Sequence, residues 1–150
     1  AVSFKDMIIS DIQKKDYRKI TSPNPLQKNG AREAVQLAQR EASHVLRDIK
    51  DKIEDGATVI GIGGVHYTSI REQINNKTNF FTAKDLERKL KKNSTLTDAQ
   101  IGGNYTATQV SNLALVLGFM KELKIPKVVS AQINMADGVL IAPELLESKE

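Results

Sequence analysis

The chain reads as an α/β layered unit, a mixed sheet with flanking helices. Three observations carry that expectation. Thr58, Val59, Ile60 and Ile62 make a short β-branched apolar run of the kind a buried strand requires. Lys127-Val128-Val129-Ser130 reads as a second core strand. Between the two lie stretches with apolar residues at three- and four-residue steps, so helices alternate with strands and a layered sheet follows.

In order, Ala1 to Ile9 (AVSFKDMII) reads as the end of a strand and its continuation. The abrupt start at Ala1, without methionine, leads to the expectation of a single domain over 1–150 cut from a longer protein. Residues 16–30 hold Pro23, Pro25, Asn29 and Gly30 and read as a connecting loop. From Ala31 to Glu54 one helix is expected, with Val35, Ala38, Ala42, Val45, Leu46, Ile49 and Ile53 on its core stripe and Asp55-Gly56 ending it. His44 lies beside that stripe and reads as a surface or boundary histidine.

After the glycine strand a short helix is expected from Ser69 to Ile74, ending near Asn75-Asn76. Thr82 with Asp85 resembles a capping box opening the LERKLKK helix. The cluster of Arg88, Lys89, Lys91 and Lys92 reads as a solvated face. Thr95-Leu96-Thr97-Asp98 starts another turn before Gly102-Gly103. Thr106 with Gln109 resembles a further capping box, opening a helix that is apolar on most sides through Leu123. Leu115, Val116 and Phe119 on its second face predict an apolar patch that would favour a homodimer if a neighbouring domain is absent. Pro126 ends this helix, and Asp137-Gly138 opens a final one, VLIAPELLE.

Composition bounds the function. The 150 residues are 40% hydrophobic and 27% charged, with net charge +4 and no cysteine. That describes a globular chain without disulfides or thiolate metal sites, suited to a reducing cytoplasm. No apolar run approaches a membrane span.

The chemistry-bearing stretch is Ala57 to Ile70, ATVIGIGGVHYTSI. Gly61, Gly63 and Gly64 interrupt the strand where side chains vanish and a base or phosphate can lie against backbone N–H groups. His66, Tyr67 and Thr68 follow at once, with Ser69, as hydrogen-bonding tips at the carboxyl end of a strand. Ser130 ends the second strand, and Asp137 opens the last helix. Each has a plainer structural role beside the ligand-binding one. The glycines would permit tight packing, His66 would be a partly buried imidazole, and Thr68, Ser69 and Asp137 would cap helices.

From Ala57 to Leu146 the order of features resembles the C-terminal half of the exopolyphosphatase/guanosine-pentaphosphate phosphohydrolase (Ppx/GppA) family. Gly61, Gly63 and Gly64 match its Gly-x-Gly-Gly turn, TAKDLERKL its leucine-rich helix, and Leu113–Leu117 with Val128-Val129-Ser130 its long helix and serine-ended strand. Asp137-Gly138-Val139-Leu140 is similar to its acid–glycine pair, and AVSF to the strand that opens its second domain. The chain departs from the pattern at Val65-His66-Tyr67, where threonine or alanine is usual, and at Ala136, where arginine is usual.

The resemblance implies a ribonuclease-H-like or actin-like ATPase half, forming one wall of a cleft for polyphosphate or a guanosine nucleotide. The catalytic carboxylate, the aspartate–glycine phosphate loops and Mg²⁺ would belong to the missing N-terminal domain. The chain alone would therefore not hydrolyse a phosphoanhydride. Gly61–Tyr67 is also similar to the Gly-Ile-Gly-Gly-x-His-Tyr signature of archaeal D-aminoacyl-tRNA deacylases. That resemblance would place His66 and Tyr67 at a tRNA 3′ end, but the histidine segment expected next is missing. A ligand-sensing module without catalysis is the third alternative.

Overall fold

The computed structural model describes residues 2–75 and 77–133. Its architecture is mixed α/β, a small three-stranded sheet with helices packed on it. The chain opens with helix α1 (Phe4–Met7) and a π-wound continuation, Ile8–Ile12. A strand was expected there. Ser3 and Asp6 instead close a reciprocal capping box, with Ser3 Oγ taking the Asp6 N–H and the Asp6 carboxylate taking the Ser3 N–H. That start signal outweighs the apolar run that follows. Ile8 and Ile9 are fully buried as a result.

Helix α2 (Gln27–Ser43) begins inside the segment expected to be a loop, and α3 (Arg47–Glu54) is separate from it. The single expected helix breaks because Leu46 turns to ψ 142. Side chains satisfy the carbonyls this exposes, with Ser43 Oγ donating to Arg40 O and Lys50 Nζ to Ser43 O. The apolar spacing runs on in phase across the break, which hides it from a periodicity reading. Beyond it Leu46 is 71% and Ile49 47% exposed, not core. His44 is on the surface, as expected.

Strand β1 (Ile60–Gly61) leads into a π-wound turn, Gly64–Ile70, and then α4 (Arg71–Ile74). The helical winding thus starts at Gly64, not at Ser69, and ends at Asn75 in the left-handed conformation. Strand β2 (Phe80–Thr82), unforeseen in the sequence, runs into α5 (Ala83–Asn93) through the Thr82–Asp85 capping box. Helix α6 (Asp98–Ile101) has the box Thr97–Gln100. Helix α7 (Thr106–Glu122) has none. Its cap is Tyr105 at φ +60, so the expected Thr106–Gln109 box does not form. Strand β3 (Lys127–Ser130) closes the described fold. The expected final helix and Asp137 lie outside the described residues.

The sheet order is β1-β3-β2, with β1 parallel and β2 antiparallel to β3. Gly61, Phe81, Val128 and Ser130 face the helices and are buried. Ile60, Val129 and Phe80 lie in one cross-strand row on the opposite face. The run from Thr58 to Ile62 is therefore an edge strand with Ile60 57% and Ile62 46% exposed, not a buried one.

Helix α7 is the centre of the core, packed along α2 and against α5. Val110, Leu113 and Met120 are at most 2% exposed. Each contributes roughly 1.5–3 kcal/mol of burial. Gly118 lets the two long helices touch. A Cβ there would meet Val35 O at 2.7 Å and press into the Ala38 methyl. Of the expected second-face patch, Val116 is buried while Leu115 and Phe119 are half-buried. No helix among the described residues is long and apolar enough to cross a membrane.

Candidate functional site

The π-wound turn distributes the candidate side chains. Bonding from i to i+5 sets residues four and five apart on one side. Gly64, Thr68 and Ser69 therefore share a polar face, while His66 and Ile70 share an apolar one. The candidates expected at a single ligand surface lie on three.

Gly61 and His66 belong to the first surface. The imidazole lies over the Gly61 Cα, and a Cβ on Gly61 would meet His66 Cγ at 2.5 Å and Nδ1 at 2.6 Å. Gly61 is small to admit this ring, not a ligand. The ring stacks on Phe81 at 6.2 Å between centroids and 10° between planes. His66 Nδ1 is buried and finds no partner among the described residues. Burial holds its pKa below the ordinary histidine value, so the ring is kept neutral. Its outer side borders an apolar groove of about 580 Å³ between α3, β1 and α7. Ser130 is buried, and its hydroxyl donates to His66 O at 3.3 Å. Ser130 thus fastens the turn to β3 and is not free for a ligand.

Tyr67 stands on the second surface, at the end of the sheet. Its hydroxyl donates to Gln132 Oε1 at 3.0 Å, and the Arg71 guanidinium lies 5.3 Å from its ring centroid. Gly63, at φ +74, makes the bend before the turn and donates its N–H to Ile133 O.

The third surface is a cavity of about 460 Å³ with polar groups set in a mainly apolar lining, where Gly64 and Thr68 do come together. Ser69, Glu72, Asn104, Tyr105, Gln109 and Asn112 complete most of its wall. Asn112 Nδ2 donates to Ser69 Oγ at 3.1 Å, and Gln109 Nε2 to Asn104 O at 3.1 Å. Tyr105 is held left-handed with its side chain 83% exposed. Such strain in a non-glycine residue costs about 1–3 kcal/mol. Sequence reasoning missed Glu72, Asn104, Tyr105 and Asn112. The available signal was Gly102-Gly103-Asn104-Tyr105, an aromatic set between a double glycine and a helix.

A second hollow of about 330 Å³ shares Glu72 and Gln109 with this cavity and is lined by Lys89 and Lys92. Its floor is a buried amide relay, with Asn93 Nδ2 donating to Gln73 Oε1, and Gln73 Nε2 to Ser69 O and Gln109 O. The Lys89 pKa is lowered by burial and then by the positive charges of Lys92 and Arg88. Lys89 is half-buried, so the basic cluster is not simply a solvated face. Arg88, by contrast, points outward and pairs with Asp85.

Among the described residues no three His, Asp or Glu side chains converge as a metal seat. Comparison of the chain with protein-family models, curated proteins and solved structures finds no match.

Proposed function

We propose that this chain is the second domain of a two-domain phosphohydrolase of the Ppx/GppA kind, a ribonuclease-H-like or actin-like half that forms one wall of a phosphate or nucleotide cleft. The observation that carries the reading is the parallel register of β1 and β3, which sets Gly61 opposite Ser130. The strand entering the glycine turn and the strand ending in serine thereby finish side by side, and ligands of open α/β sheets collect outside such ends. The capped TAKDLERKL helix and the long apolar helix between them add support, because they follow in the order the resemblance implies.

In this reading the chain binds and positions, and it does not cleave. The carboxylate that activates water and the Mg²⁺ that offsets phosphate charge would come from the other domain, as the family resemblance implies. A reducing cytoplasm suits the cysteine-free chain. The deacylase alternative needs His66 and Tyr67 at one tRNA end, yet they border different surfaces.

Titration calorimetry with ATP, guanosine tetraphosphate and short polyphosphate tests the proposal. At least one should bind to the isolated chain, with no phosphate released. Failure of all three to bind would overturn it. So would metal-dependent phosphate release by pure protein that disappears in His66→Ala.

A further inference from the structure

The cavity beside the π-wound turn and the lysine hollow next to it differ in charge and share a wall. In the larger space the polar groups are hydroxyls and amides, with Glu72 its one charged side chain. A polyanion gains nothing there and meets a carboxylate. A heterocycle with a sugar fits such a lining, because Thr68, Asn104 and Asn112 offer both donors and acceptors and the exposed Tyr105 ring offers a stacking face. Gly64 has open space where a Cβ would stand, so its backbone is accessible at the start of the turn. Both spaces fall in the size range of ligand pockets, about 300–1,000 Å³.

The smaller space carries two lysines, Lys89 and Lys92, against the shared carboxylate of Glu72, and so has a net positive lining. Lys89 and Lys92 come from one helix three residues apart, and therefore stand on one side of it. Neither forms an ion pair with an acid of the described residues. Lys89 is half-buried and Lys92 exposed beside it, and an anion between the two ammonium groups would offset their repulsion. The Gln73–Asn93 relay fixes the wall common to both spaces.

We propose that the two spaces form one composite site for a nucleoside di- or polyphosphate, with the nucleoside against Thr68, Asn112 and Tyr105 and the phosphates between Lys89 and Lys92. This rests on the reading of the chain as the wall of a phosphate or nucleotide cleft and decides between its two ligand classes. Polyphosphate lacks the part that the neutral cavity recognises.

Calorimetry with GDP, ADP, guanosine and inorganic tripolyphosphate tests it, with melting curves to show that each variant is folded. GDP or ADP should bind best, guanosine more weakly, and tripolyphosphate weakest. Lys89→Gln with Lys92→Gln should weaken the nucleotide by about tenfold and leave guanosine unchanged, as loss of a charged hydrogen bond predicts. Tyr105→Ala or Thr68→Val should weaken nucleoside and nucleotide alike and leave tripolyphosphate unaffected. Tripolyphosphate binding as tightly as GDP, insensitive to Tyr105→Ala, would overturn the composite site while the cleft-wall reading survives. If no probe binds, both fall.

Discussion

Gly118 and Gly61 are both glycines because something else occupies the place of a Cβ, but the occupants differ in kind. At Gly118 it is the Val35 carbonyl and the Ala38 methyl, parts of a rigid neighbouring helix. At Gly61 it is the His66 ring, a titratable side chain whose buried Nδ1 has no partner among the described residues. The first glycine serves only packing. The second is the means by which the fold carries a desolvated imidazole at the end of a strand, and an unsatisfied buried polar atom of this kind costs about 1–3 kcal/mol. A close approach through glycine thus does not by itself indicate a ligand site; what fills the vacated space decides.

The comparison can be broken by a series of substitutions. Gly118→Val should be the most damaging, losing about 3 kcal/mol in denaturant unfolding because neither backbone nor helix can move aside. Two-state unfolding with near wild-type stability would show that α2 and α7 are not held in contact.

Gly61→Ala should cost about 2 kcal/mol, less because a side chain can give way. Combining it with His66→Ala should recover part of that loss, a coupling that a double-mutant cycle reads directly. Additive costs would mean that the ring is not the obstacle. Gly63→Ala has no steric neighbour but must hold φ +74 with ψ −174, a conformation essentially confined to glycine, so about 1–3 kcal/mol is expected.

A smaller effect comes from pH. Burial lowers the His66 pKa in the folded chain, while the unfolded chain titrates near 6.5. The unfolded state therefore takes up the proton first. Stability is full above pH 6.5 and declines as pH falls below it, levelling off once the folded ring also titrates. The melting temperature should drop as pH falls through and below 6.5, and by less in His66→Leu. Asp6 and Asp85 do not confuse the window. For Asp6 the Ser3 hydroxyl leads the lowering; for Asp85 burial raises the pKa but the Thr82 hydrogen bonds and Arg88 more than offset it. Both act below 3.8. Smallest of all is Gly64→Ala, at an ordinary φ and in open space, where stability should change by less than about 0.5 kcal/mol. The bare backbone at Gly64 is thus not something the fold requires.

What the sequence made legible followed from local chemistry. The Thr82 and Thr97 caps, the long apolar helix, the β3 strand and the Asn75 stop each depend on a few adjacent residues, and each stands where its residues point. What it hid depended on partners distant in the chain. Nothing near Phe80 announces a strand, because Phe80–Thr82 is extended only by pairing with Lys127–Val129. Ile60 looked buried because β-branched residues suit either face of a sheet. The break at Leu46 is invisible to periodicity that stays in phase. At the candidate site the glycine turn was correctly singled out as unusual. The π winding was not readable, and it separates Thr68 from His66 and brings Thr68 to Tyr105 across the α7 cap.

The row formed by Ile60, Val129 and Phe80 ends differently at the two edges of the sheet. At one end the Lys127 ammonium lies 5.5 Å from the Phe80 ring centroid and keeps a hydrated charge on the surface. At the other, Ile60 and Ile62 flank the outer edge of β1, whose Ile60 peptide groups point away from β3. A charge discourages edge-to-edge stacking, and a bare apolar edge invites it. Ile62→Lys places a charge on that edge and is the substitution expected to lower light scattering in concentrated solution if chains pair along β1.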